Sequence, residues 1–146
     1  MKQVKTSIEI DATPERVWHI LTDFSSWDAW NPTIHRLRGS PEVGAKLDFV
    51  IRLGKRWLPI QAKMLRVDPE RELCWRGPRA DLLVPIFAGE HYFAIERLAA
   101  DRVRFVHGER FSGLLLPVLW NRLEPTLLRG YAKANEGLKR RAEAPD

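Results

Sequence analysis

The sequence contains a single cysteine, Cys74. That excludes an intrachain disulfide or a cysteine-rich zinc site and suits a reducing compartment. No apolar run approaches the roughly 18 residues of a membrane span, and the opening MKQVKTSIEID lacks the apolar stretch of a signal peptide. A cytoplasmic location without a transmembrane segment is the expectation. Internal repeats and low-complexity segments are also missing. So is any Ser-His-Asp or Cys-His arrangement legible from the chain, and no cofactor or metal is expected. Lys and Arg outnumber Asp and Glu by 24 to 19, but the basic residues are scattered. Their densest group, Lys139, Arg140 and Arg141, suits the end of a helix. With no nucleic-acid motif beside the charge, a specific nucleic-acid partner is not expected.

What the sequence does hold is core material. In 146 residues, 45% are hydrophobic and six are tryptophan, enough for one domain over 1–146. VKTSIEID alternates as a strand, and ATPERVWHIL continues it into a helix with Thr13 as N-cap and Pro14 in the first position. The stretch DFSSWDAWNP holds one short turn, broken by its serines and by Asn31-Pro32. TIHRLRG, KLDFVIRL, IQAKMLRVD, ELCWRG, EHYFAIERL and RVRFVHGERFSG then read as strands separated by Gly, Pro and Asp turns. Such a succession predicts antiparallel pairing. In the C-terminal part Leu116, Leu119, Leu123, Leu127, Tyr131, Ala134 and Leu138 recur at steps of three and four, which predicts one long amphipathic helix. Pro117 suits its first turn. Pro125 is expected to kink or interrupt it, leaving the Asn121 carbonyl without its usual partner.

The last predicted strand sets the functional question. Val103, Phe105, His107, Glu109 and Phe111 share its inward face. A carboxylate facing a dry core costs several kcal/mol unless paired, so Glu109 has either a private partner or a cavity before it. Parity with Phe93 turns His91 inward on the preceding strand. Two hairpin registers keep both faces inward, placing His91 opposite Glu109 or opposite His107 and diagonal to Glu109. Four readings of this trio stay open. It can be a satisfied structural cluster, a set of groups orienting a ligand, a histidine acid or base held by Glu109, or a metal site.

The chain resembles the START-like helix-grip superfamily, in particular the small polyketide cyclase/dehydrase-like (SRPBCC) proteins. The resemblance rests on IEIDATPERVWHILTDFSSWDAWNP, on LCWRG, and on HYFAIERL with RVRFVHGERFSG. It implies an α+β fold in which a curved antiparallel sheet of about seven strands wraps around the long C-terminal helix, with two short helices after the first strand. It also implies a deep cavity for a small hydrophobic ligand, lipid-, sterol- or polyketide-like. The expected lining is Phe49, Ile51, Trp75, His91, Phe93, Phe105, His107, Glu109 and Phe111 from the sheet, and Leu119, Leu123, Leu127 and Tyr131 from the helix. His91, His107 and Glu109 are the catalytic candidates if the protein is instead a cofactor-independent cyclase or dehydratase. Trp27 and Trp30 are expected at the mouth beside RADLLVPIFAG, residues 79–89. That apolar loop could be a lid, a homodimer contact, or a site of protein or membrane interaction.

Overall fold

The computed structural model describes residues 1–145. Its strands are β1 (Lys2–Ile10), β2 (Ile34–Arg38), β3 (Lys46–Leu53), β4 (Arg56–Asp68), β5 (Glu72–Gly77), β6 (Ala88–Ala99) and β7 (Arg102–Ser112). Helix α1 spans Pro14–Thr22 and α2 spans Leu116–Glu143, with short 3-10 turns at Phe24–Ala29 and Asp81–Leu83. The strands form one antiparallel sheet in the order β1-β7-β6-β5-β4-β3-β2. β1 and β2 are the two edges, so α1 and the first 3-10 turn carry the chain across one face before the meander begins. This is the helix-grip arrangement, a curved sheet closed by a long C-terminal helix.

Local chemistry starts and stops these elements. The Thr13 hydroxyl accepts the Arg16 N–H at 3.1 Å and Pro14 opens α1, as the sequence implies. Arg16 in turn donates to the carbonyls of Ala142 at 2.6 Å and Ala144 at 3.0 Å, satisfying the end of α2. β4 begins at Arg56, earlier than the sequence implies, and so contains Pro59. β5 joins β4 only from Lys63 onward, so Pro59 stands where β4 has a neighbour on one side alone, the place a strand tolerates proline.

Two expectations need correction. Trp27 and Trp30 are not at a mouth: both are buried, and Trp27 stands 5.7 Å from Trp75 and 5.5 Å from Phe93, ring to ring. The Trp27 indole N–H donates to the Leu21 carbonyl at 2.9 Å, so the ring enters the core with its polar atom satisfied. Pro125 does not interrupt α2, which runs unbroken from Leu116 to Glu143. Both Pro125 and Asn121 are exposed, and water can solvate the carbonyl that the missing N–H leaves.

The two halves of α2 behave differently. Leu138 and Ala142 join the main core with Ile10, Val17, Leu21 and Phe105. Leu127 and Tyr131 belong to a separate cluster with Val4, Phe111 and Leu116. At Gly137 the helix runs so close to the first 3-10 turn that a Cβ would sit 2.0 Å from the Trp30 carbonyl oxygen. Gly137→Ala, worth about 1 kcal/mol of stabilisation in an unhindered helix, is therefore expected to lower stability by about 2 kcal/mol or more, measured by thermal denaturation. An unchanged or higher melting temperature would refute this close approach.

Candidate functional site

Between the sheet and the N-terminal half of α2 lies a cavity of about 1020 Å³. Phe49, Ile51, Trp75 and Phe111 wall it from the sheet, and Leu119, Leu123 and Leu127 from the helix. Arg52, Arg79 and Arg122 also border it, and His91, Glu109 and Tyr131 supply a polar cluster. Phe93, Phe105 and His107 do not reach the cavity. Each is at most 2% exposed, since they lie nearer the β6–β7 turn, under the half of α2 that packs directly on the sheet.

The β6–β7 register places His91 directly opposite Glu109 and Phe93 opposite His107. Gly89 makes the carboxyl possible: a Cβ there would be 2.2 Å from Glu109 Oε2. The hydrogen-bond partner of Glu109 is Tyr131, whose hydroxyl donates to Oε1. His91 Nδ1 stands 3.7 Å from the same oxygen, beyond hydrogen-bond length. The private partner of Glu109 is thus a tyrosine from α2, rather than a histidine or an arginine.

Behind His91 runs a buried chain whose hydrogens can be placed one after another. Thr6 spends its only hydroxyl hydrogen on the His107 carbonyl at 2.8 Å, so it can only accept from the Asn135 amide at 2.9 Å. Asn135 therefore turns Oδ1 toward His107 Nδ1, 2.8 Å away, and that nitrogen must carry the hydrogen. The neutral His107 ring then accepts at Nε2, and His91 Nε2, 2.6 Å from it, must donate. What remains is a lone pair on His91 Nδ1, aimed toward Glu109.

Burial governs the charges. It pushes His107 down to about 4, against the hydrogen bond to Asn135, which acts the other way. Burial, then the neighbouring His107, hold His91 well below the usual imidazole range. The Glu109 carboxyl is raised to about 7 by burial, opposed by the Tyr131 hydroxyl. Burial and then Glu109 lift Tyr131 well above the usual phenol range. Near neutral pH the cluster is uncharged except for Glu109, which is poised between a donor and an acceptor of protons. Among the described residues no group of His, Cys, Asp or Glu has the arrangement to hold a metal ion, and the two imidazoles spend Nε2 on each other.

Sequence reasoning missed Asn135, Thr6 and Gly89. Asn135 was the most accessible of these, since it follows Tyr131 by four residues and so shares its helix face, where a buried amide demands partners. Thr6 and Gly89 carry no signal until the register is known.

A seven-stranded sheet closed over a cavity by its C-terminal helix defines the helix-grip class. The chain belongs to the polyketide cyclase / dehydrase and lipid transport family, whose model matches residues 1–143. No curated protein matches the sequence. Among solved structures it is similar to the Zhui aromatase/cyclase from Streptomyces sp. R1128, with a TM-score of 0.79, 16% identity and 97% and 93% of the two chains covered. It is also similar to a START superfamily protein from Mycobacterium smegmatis, at 0.72 and 20%, covering 95% and 97%. A third likeness is to norcoclaurine synthase from Thalictrum flavum in complex with dopamine and hydroxybenzaldehyde, at 0.70 and 14%, covering 99% and 89%. At these identities the likeness is one of fold.

The charge assignments make two expected outcomes. Unfolded, Glu109 loses its proton near 4.5, whereas folded it keeps it to about 7, so its contribution to stability falls as pH rises between these values. Glu109→Gln should therefore be more stable than the parent by up to about 3 kcal/mol at pH 8, with the gap closing toward pH 4 in paired denaturant titrations. A gap independent of pH would contradict the raised carboxyl. Nitrogen-15 NMR at pH 6 should find both His91 and His107 neutral, with the hydrogen on Nε2 of the first and Nδ1 of the second. The opposite tautomers would break the Thr6–Asn135 assignment.

Proposed function

We propose that the protein binds a small, mostly apolar molecule, lipid-, sterol- or polyketide-like, and orients it by one oxygen function at Glu109, Tyr131 and His91. The observation that carries this reading is the cavity itself: about 1020 Å³, walled by aromatic and aliphatic side chains, with its few buried polar groups converging on one spot. Such sites derive affinity from the apolar wall, about 2.5 kcal/mol for each 100 Å² covered, and orientation from the polar groups. Protonated Glu109 can donate to a ligand carbonyl, and ionised Glu109 can accept from a hydroxyl. The Tyr131 oxygen, its hydrogen already given to Glu109, and the His91 Nδ1 lone pair offer two further acceptors.

A second reading, a cofactor-independent cyclase or dehydratase, is favoured by one specific observation. A buried carboxyl near 7 is suited to take and return a proton at neutral pH. In this reading Glu109 removes a proton from the carbon beside a substrate carbonyl, the carboxyl so formed frees the Tyr131 hydroxyl to donate to the developing enolate oxygen, and the cavity wall holds one folded conformer. The histidines are too depressed to serve as the main base; their rings pack against Tyr131 instead, centroid to centroid at 4.2 Å for His107 and 5.1 Å for His91. The family and the fold likeness to an aromatase/cyclase support this reading at the level of class.

Native mass spectrometry of protein purified from its own host, followed by denaturing extraction, is expected to show a stoichiometric apolar adduct. Titration with the neutral fluorophore N-phenyl-1-naphthylamine should saturate at one site. Leu123→Trp, which fills the cavity from the helix side, should weaken that binding at least tenfold while the fold survives. Binding indifferent to this substitution would remove the cavity from the account. On an acyclic poly-β-keto thioester, Glu109→Gln should lower turnover about 100-fold or more while fluorophore binding persists. Full turnover in the variant would leave only the binding role.

A further inference from the structure

Three segments around the cavity opening share a composition that the core does not need. The β3–β4 turn, residues 52–58, ends in exposed Trp57 and Leu58. Residues 79–87 expose Leu82, Leu83 and Ile86, and the start of α2 exposes Leu114, Leu115 and Val118. Leu82, Leu114 and Val118 are 86%, 80% and 79% exposed, and none of them lines the cavity. The last two segments lie side by side, since the N–H groups of Leu114 and Leu115 donate to the carbonyls of Pro85 and Ile86 at 3.1 and 3.0 Å. Their inner neighbours Leu58, Leu83, Ile86 and Leu119 do line the cavity. The apolar surface is therefore continuous from the outside of the protein into the cavity.

The charge on these segments is mostly of one sign. They carry Arg52, Lys55, Arg56, Arg79 and Arg122, against the single carboxylate Asp81, which Arg76 holds at 2.6 Å. Arg79 leans toward Asp48 at 3.6 Å, and Arg52 bonds the Gly54 carbonyl of its own turn through Nε at 3.0 Å. Protruding leucines framed by arginine and lysine, with a tryptophan among them, fit the boundary between acyl chains and anionic headgroups. An exposed apolar patch of this kind marks a docking surface.

We propose that this face docks on an anionic lipid bilayer with the cavity opening toward the acyl chains. The leucine tips enter the interface, the five cations meet the headgroups, and an apolar ligand passes between bilayer and cavity without crossing water. The docking stands on the surface alone. Only the transfer step rests on the cavity reading above.

The test is co-sedimentation of the full chain with vesicles of phosphatidylcholine alone and with about one third phosphatidylglycerol. The anionic vesicles are expected to bind at least tenfold more tightly, with binding falling sharply between about 0.1 and about 0.5 M salt. Leu82→Asp with Val118→Asp, and separately Lys55→Glu with Arg56→Glu, should each weaken vesicle binding at least tenfold. Both pairs are exposed and outside the cavity, so melting temperature and N-phenyl-1-naphthylamine binding should be unchanged. Absence of vesicle binding, or equal binding by both variants, overturns the proposal. So does a concentration-dependent dimer that the Leu82/Val118 variant abolishes while vesicles stay unbound, which would make the patch a contact between copies of the chain. Vesicle binding by a protein that fails to take the fluorophore would uphold docking and remove the cavity reading.

Discussion

One side-chain amide fastens the helix to the sheet. Asn135 bonds Thr6 on β1 and His107 on β7 at once, at 2.9 and 2.8 Å, and so sets α2 across the edge pair of the sheet. Beyond it toward the C-terminus, α2 packs on the main core and passes tight against Trp30 through Gly137. Toward the N-terminus the helix lines the cavity instead. Cavity and core thus divide along the helix on either side of this attachment. A leucine in place of Asn135 could fill the volume, but it would leave the buried His107 Nδ1 without its partner.

The same amide sets the chemistry. Because it accepts from His107 Nδ1, every hydrogen up to His91 is determined, and a lone pair is left facing Glu109. A carboxyl in this position has the Tyr131 hydroxyl on one side and, among the described residues, no cation to compensate its charge. Burial therefore holds it neutral across most of the acid range, at a cost to the fold at higher pH. Its side chain keeps 16% exposure and faces, with His91 and Tyr131, the space where a ligand would stand.

Much of the architecture was legible because it follows from short-range rules. The Thr13-Pro14 helix start, the alternation along β7 and the stripe on α2 each depend on a few neighbouring residues. His91 and Glu109 could be brought together from parity alone, since a hairpin that keeps both faces inward admits only two registers. The same parity turned Phe93, Phe105 and His107 inward and the family resemblance put them on a cavity, yet they lie in the core. A residue's face is local information, whereas its depth depends on how closely the helix approaches the sheet at that level. Trp27 and Trp30 failed for a related reason: tryptophans next to a loop resemble a rim until the packing of their rings in the core is seen, which for Trp27 includes the Leu21 carbonyl that takes its indole N–H.

Residue order alone determined the antiparallel meander, the covering helix and the inward placement of a carboxylate and two histidines, because periodicity and turn chemistry act over a handful of residues. The partner of Glu109, the tautomer of His91 and the cationic, leucine-tipped rim of the cavity were decided only in three dimensions. Tyr131 stands 22 residues from Glu109, Thr6 stands 129 from Asn135, and the three rim segments are separate stretches of chain. Such groups meet only after a register and a helix placement have been chosen, and that choice minimises the free energy of the whole chain rather than of any one segment.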